Sequence, residues 1–198
     1  MSHYLNLLNP SHAYFIGFFL ADGSLCFSGR KPEHNRGKAV IELQRKDKDI
    51  LIAFKNIFPE ITKIKDRCRD TNFKENYETT SLSIYSMDFR NELISFGLTY
   101  GKKSNLIKIP NCEFSTRDFY RGLIDGDGSL GFTKENFPYI SLVISSEDMK
   151  NSYIDLIIEI TGVCPKQNRN ARDDVYNIMI TRDNAKKIVS FLYQEGDL

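Results

Sequence analysis

Few of the residue patterns that mark a metal cage, a nucleotide motor or a membrane protein occur in this chain. The three histidines, His3, His12 and His34, form no metal-ligand pattern, which argues against histidine-metal chemistry and zinc fingers. Four cysteines, Cys26, Cys68, Cys112 and Cys164, include no CxxC pair and fall in separate predicted elements, so they read as reduced packing thiols. There is no glycine-rich phosphate loop, so a nucleotide-driven motor is not expected, nor is a small-molecule substrate. No run reaches the roughly 18 apolar residues of a membrane span. The opening MSHYLNLLNP lacks a basic region followed by an apolar signal core, so a cytoplasmic protein with no membrane partner is expected. A dominant charge is missing too: the net charge is +1 over 198 residues. Residues 1–104 hold 16 Lys+Arg against 12 Asp+Glu, giving +4, while residues 105–198 hold 11 against 14, giving -3. Any attraction for a polyanion should reside in the first half.

What the chain does have is a repeat. Ala13 to Leu25, AYFIGFFLADGSL, returns as Asp118 to Leu130, DFYRGLIDGDGSL, at a constant offset of 105 residues. Gly17 then aligns with Gly122, Asp22 with Asp127 and Gly23 with Gly128. Each copy is an apolar, helix-like run that ends in an acid and a glycine. Gly17 with Ala21, and Gly122 with Gly126, place small residues four apart on one helix face, a spacing that lets two backbones approach closely. A glycine inside a helix costs about 0.5–1 kcal/mol relative to alanine, so one in each copy calls for a packing reason. We expect the two helices to pack on each other through these residues.

Parallel pairing of the helices would bring Asp22 and Asp127 side by side at one end of the seam. A helix C-terminus disfavours negative charge by roughly 0.3–1 kcal/mol, and two close carboxylates repel unless they share a proton or bind a cation. Hard oxygen ligands suit Mg2+ or Ca2+, and a paired-acid metal site suits displacement at a phosphate. A single Asp-Gly is also an ordinary turn dipeptide; two at aligned positions are harder to dismiss. Asp125 has no acidic counterpart in the first copy, where Leu20 stands, so Asp22 and Asp127 are the matched pair.

Periodicity gives both halves the same order of elements. The first motif helix is followed by strands over 24–28 and 38–44, a helix over 47–58, strands over 62–69 and 79–86, and a helix over 88–96. The second half repeats this with strands over 129–132, 139–145, 164–169 and 175–181 and helices over 147–161 and 184–193. The predicted fold is α+β: two pseudo-symmetric αββαββα halves, residues 1–98 and 115–198, joined by a linker over 99–114 and packed through the motif helices. Alternation places Ala39, Ile41 and Leu43 on one face and Lys38, Val40, Glu42 and Gln44 on the other. It also puts Lys63, Lys65, Arg67 and Arg69 on a single face.

The segments FIGFFLADG and YRGLIDGDG resemble the two signature motifs of the LAGLIDADG homing endonucleases, and the repeat makes the chain similar to their single-chain, two-motif members. The resemblance implies saddle-like antiparallel sheets that grip double-stranded DNA and a monomeric, metal-dependent endonuclease acting at a long, non-palindromic target. It implies two or more divalent cations, Mg2+ for cleavage and Ca2+ for binding with little cleavage, held by Asp22 and Asp127 with the backbone of Ala21 and Gly126 as further ligands. It further implies catalytic support from Gln44, at the end of a second strand, and from Lys103 beside Lys102, with Ser145 or Glu147 as the second-half equivalent of Gln44. A twisted sheet with a basic ridge fits a major groove. The DNA-contacting candidates are Lys38, Gln44, Lys63, Lys65, Arg67 and Arg69 in the first half and Lys166, Gln167, Asn168, Arg169, Asn170, Arg172 and Asn177 in the second. Arg30, Lys31, His34, Arg36 and Lys134 lie on hairpin tips that could reach flanking DNA. Such an enzyme would be nucleoid-associated, or organellar if its gene is. Intein splicing termini are not seen, so a freestanding or intron-borne mobility enzyme is expected. An RNA-binding maturase and a nuclease-dead DNA-binding regulator of the same fold remain as alternatives.

Overall fold

The computed structural model describes residues 4–27, 37–70, 75–101 and 106–194. Arg30, Lys31, His34 and Arg36, with Lys102 and Lys103, lie outside the described residues. The first half runs α1 (Pro10–Asp22), β1 (Gly23–Phe27), β2 (Gly37–Gln44), a 3-10 turn (Arg45–Asp47), α2 (Lys48–Ile57), β3 (Thr62–Arg69), β4 (Tyr77–Ile84) and α3 (Met87–Ser95). The second runs α4 (Thr116–Asp127), β5 (Gly128–Phe132), β6 (Pro138–Ile144), α5 (Glu147–Thr161), β7 (Lys166–Asn170), β8 (Val175–Thr181) and α6 (Arg182–Leu192). Each half holds one four-stranded sheet, ordered β1-β2-β4-β3 and β5-β6-β8-β7, and every pairing in them is antiparallel. The αββαββα repeat expected from the sequence is therefore the architecture. Among the described residues no helix is long and apolar enough to cross a membrane.

Local chemistry fixes where the elements begin. Pro10 opens α1 where a missing N–H does no harm, and the Asn9 side chain accepts hydrogen bonds from the backbone N–H groups of Ser11 and His12 at 2.9 and 3.4 Å. Ser146 caps α5 in the same way, accepting from the Met149 N–H at 3.3 Å, and Gly162 closes that helix with φ 74°, a left-handed position suited to glycine. Neither motif helix has a connecting loop after it: α1 ends at Asp22 and β1 begins at Gly23, and α4 ends at Asp127 and β5 begins at Gly128. A Cβ on Gly23 would lie 2.6 Å from the Phe19 carbonyl oxygen, and one on Gly128 would lie 2.5 Å from that of Ile124. Only glycine permits a helix to pass straight into a strand there.

One face of each sheet is sealed by helices. Ile41, Leu82 and Ile64 stand opposite one another across β2, β4 and β3, with Leu82 and Ile41 fully buried. In the second half Leu142 and Ile178 form the matching buried pair. The aromatic residues of α1 extend the core: Phe15 meets Phe54, Phe58 and Phe89 edge-on at centroid distances of 5.0, 5.1 and 5.9 Å. Such pairs add roughly 0.5–1.5 kcal/mol beyond their burial, so the aromatic character of the first motif serves the core of its own half. The opposite faces of both sheets are left to solvent.

Candidate functional site

Helices α1 and α4 pack in parallel through the glycines that the repeat aligned. A Cβ built on Gly17 would lie 2.9 Å from the carbonyl carbon of Phe119 and closer still to its oxygen. A Cβ built on Gly122 would lie 2.8 Å from the backbone N of Phe18 and closer still to the oxygen of Tyr14. Phe119 follows Tyr14 by the same 105 residues that separate the glycines, so the contact is reciprocal about a pseudo-twofold axis. Each helix meets the other backbone to backbone. One turn further on, Gly126 faces the Ala21 methyl group with no room for another.

The seam ends at the two acids. Asp22 and Asp127 are the last residues of α1 and α4, and both are exposed. A Cβ on Gly126 would sit 3.5 Å from the Asp22 carboxylate, which places that group against the end of the partner helix. Two cavities flank the acids, and each is shared between the halves. One, of about 400 Å3, joins Asp22 and Leu43 to Asp125 and Gly126, with Asp47 and Asp49 at its edge. The other, of about 80 Å3, joins Asp127, Val143 and Ser145 to Leu20 and Ala21. Asp47 and Asp49 belong to the start of α2, where acids complement the helix dipole.

Asp125 has a separate task that the sequence did not reveal. Its carboxylate accepts hydrogen bonds from the Tyr14 hydroxyl at 2.8 Å and the Tyr193 hydroxyl at 2.6 Å, tying α4 to α1 and to the end of α6. The Arg121 guanidinium lies 4.6 Å from the Tyr14 ring centroid. Burial first, and then the Asp125 carboxylate, push both phenols well above their ordinary range, so they remain donors. Asp125 thus braces the seam, as the mismatch with Leu20 allows.

Strand register relates the strand-end corners of the two halves. Gly23 pairs with Ile41, and its counterpart Gly128 pairs with Leu142. Counting on from those pairs makes Gln44 equivalent to Ser145, and Lys46 equivalent to Glu147. Of the two second-half alternatives, Ser145 occupies the corner, and it lines the Asp127 cavity. Gln44 is exposed at the end of β2 and pairs with Thr79.

The same register sorts the DNA-contacting candidates. In the first sheet Lys63, Lys65, Arg67 and Arg69 share the solvent face and are all exposed, opposite Ser83, Ser81, Thr79 and Tyr77 of β4. Arg69 is partly occupied: it pairs with Glu42 at 3.4 Å, while Glu42 accepts from the Thr79 hydroxyl at 2.9 Å. Lys63 lies 5.7 Å from the Tyr85 ring. Lys38 lies on this face opposite Cys26. In the second sheet Lys166, Asn168, Asn170 and Asn177 face solvent, but Gln167 and Arg169 do not share their side. Gln167 pairs with Ile178 and Arg169 with Tyr176, residues of the face that packs toward the helices. Arg169 is held there by Asp174 at 2.8 Å and by the Tyr176 ring. Of the second-half candidates, Gln167 and Arg169 are therefore not on the solvent face that carries Asn168 and Asn177. Lys134 is exposed in the β5–β6 turn, and Arg172 in the β7–β8 turn, where its N–H donates to the Asn170 side chain at 3.0 Å.

Among the described residues no three or more His, Cys, Asp or Glu side chains are gathered into a metal cage. The donors at the seam end are two carboxylates with nearby backbone carbonyls, which suits a hard divalent cation whose remaining ligands are water and phosphate oxygens. Two exposed acids between two open sheets fit such an ion only as part of a larger complex.

Two αββαββα units joined by a glycine-lined helix pair, with an acid closing each helix, define the fold of the LAGLIDADG homing endonucleases, and the chain has that fold. Solved structures similar to it include the meganuclease I-SmaMI bound to uncleaveable DNA, at TM-score 0.63 and 15% identity over 98% of this chain and 86% of that one. The homing endonuclease I-WcaI bound to its DNA recognition sequence aligns at TM-score 0.66 and 13% identity over 94% of this chain and 82% of that one. The LAGLIDADG homing endonuclease I-LtrWI bound to target DNA aligns at TM-score 0.57 and 12% identity over 92% and 82%. No family model matches the sequence, and no curated protein matches it.

Proposed function

We propose that this protein is a site-specific endonuclease that hydrolyses both strands of a long, non-palindromic DNA target. The observation that carries the reading is the exposed pair Asp22 and Asp127 at the end of a seam formed by reciprocal backbone contacts, set between two sheets with open polar faces. The carboxylates of Asp22 and Asp127, with the carbonyls of Ala21 and Gly126 as further donors, would hold a divalent cation such as Mg2+, which would supply Lewis-acid polarisation at the scissile phosphates. Gln44 and Ser145, at equivalent corners, orient attacking water, and Lys103 stabilises charge developing on the phosphate. The basic ridge of β3 supplies attraction for the backbone, and the sheets read base edges in the major groove. The seam fixes the spacing of the two acids, so that both strands are served by one chain.

A pool of randomised duplexes selected for binding in Ca2+ and then challenged with Mg2+ tests the proposal. We expect double-strand cleavage of the selected DNA. Asp22→Asn or Asp127→Asn should abolish cutting while changing affinity by no more than about tenfold, because groove contacts are untouched. Cutting by either variant at near wild-type rate would rule out the assigned acids.

A further inference from the structure

We propose that the half-site under the second sheet contains a block of A·T pairs read by Val143, Asn177 and Asn168. The inference rests on the DNA-endonuclease reading and extends it to the base class recognised.

Register lets the two solvent faces be compared cell by cell. Across β2, β4 and β3 one row reads Glu42, Ser81, Lys65. The equivalent row across β6, β8 and β7 reads Val143, Asn177, Asn168. Both ionised groups of the first row are replaced, one by an aliphatic side chain and one by an amide. Asn177 and Asn168 stand directly opposite each other on neighbouring strands, and both are exposed. Neither amide is engaged with another side chain among the described residues, whereas Asn170 is bound into its own turn through Asp173 and Arg172. Val143 is 41% exposed although β6 is an interior strand of its sheet.

These groups match one base pair better than the other. An asparagine amide offers a donor and an acceptor side by side, which complements N6 and N7 of adenine, and aliphatic groups contact the C5-methyl of thymine. Guanine calls for an arginine or lysine fork, and cytosine for a carboxylate. On this face the row contains neither; Arg169 is on the other side of the sheet, and the Glu42 cell holds Val143. Strands lie roughly 4.8 Å apart, so three residues in a row span about 10 Å, or about three base-pair steps at 3.4 Å.

The test is a Ca2+ binding selection from randomised duplexes, carried out in parallel with the wild-type chain and the variants Asn168→Ala, Asn177→Ala and Asn177→Arg. We expect one half-site to show two or three adjacent A·T pairs, each preferred at least fivefold over G·C. Either alanine variant should relax that preference in this half-site alone, and Asn177→Arg should replace one A·T preference by guanine, a gain that a folding defect cannot produce. Selected and cleavable DNA with G·C at the positions these variants relax, or a profile that none of them alters, would overturn the inference and leave the endonuclease reading standing. Failure to enrich any sequence would overturn both.

Discussion

Gly17→Ala is the substitution for which local and tertiary energetics disagree most. In an isolated helix the change stabilises by about 0.8–1 kcal/mol. In the seam the new methyl group would stand 2.9 Å from the Phe119 carbonyl carbon and 3.0 Å from the Leu123 backbone N. Ordinary contact lies near 3.5–4 Å, so the helices must separate by on the order of 1 Å. The obstacle is backbone and cannot rotate aside. Overpacking of this kind typically costs 1–3 kcal/mol, and a rigid neighbour puts Gly17 at or above the upper end. After the propensity gain, a net loss of roughly 2 kcal/mol or more remains, or a fall of at least about 4–8 °C in melting temperature for a chain of this size. Thermal unfolding followed by circular dichroism measures it. Gly122→Ala should behave alike, since its clash with Tyr14 is the reciprocal one. A sharper version uses the Ala21 and Gly126 contact: Gly126→Ala should destabilise, and adding Ala21→Gly should restore most of the loss by moving the one methyl group across the axis. A Gly17→Ala protein as stable as wild type, or an exchange double variant no better than Gly126→Ala alone, would refute the close-packed seam.

Other expectations follow from the sheets and from burial. Replacing Lys65 and Arg67 by alanine should weaken DNA binding and, for phosphate contacts, lower the salt slope by about one per residue; an unchanged slope with relaxed base preference would make them base readers instead. Arg69→Ala should do less, because Glu42 already holds part of that charge. The protein should sediment as a single chain both alone and on DNA, since α1 and α4 supply both sides of the seam; an obligate dimer on a palindromic site would contradict this. Burial lowers the His12 pKa from its usual 6.5, with the Glu92 carboxylate opposing, so the fold favours the neutral ring. Stability from this group is complete above 6.5 and is lost as pH falls below it. The melting temperature should drop as pH falls below 6.5, and less steeply in His12→Gln.

The legible parts of the sequence were those where one pattern had one structural meaning. Strands 62–69 and 175–181 and helix 147–161 have the same bounds in the structure, because apolar alternation, a serine cap and a terminal glycine mark them. The seam was legible because duplication shows which glycine each helix turns toward the backbone of the other. The side of the sheet taken by Gln167 and Arg169 was not, since KQNRN contains no apolar residue to mark its inner face, and only pairing with Ile178 sets it. Nor was the brace at Asp125, whose partner Tyr193 lies 68 residues away in sequence. That Ser145 rather than Glu147 is the positional equivalent of Gln44 needed the register of Gly128 against Leu142, which a motif cannot provide.

Because the two helices meet through main chain at Gly17 and Gly122, with a brace at Asp125, their contact does not involve the solvent-face side chains of either sheet. The rows of the two sheets have been free to drift apart, from Glu42 and Lys65 on one side to Val143 and Asn168 on the other, without renegotiating the joint. A half taken from another chain of this fold and carrying the same small residues should therefore graft onto this one, its recognition surface travelling with it and its acid arriving in register.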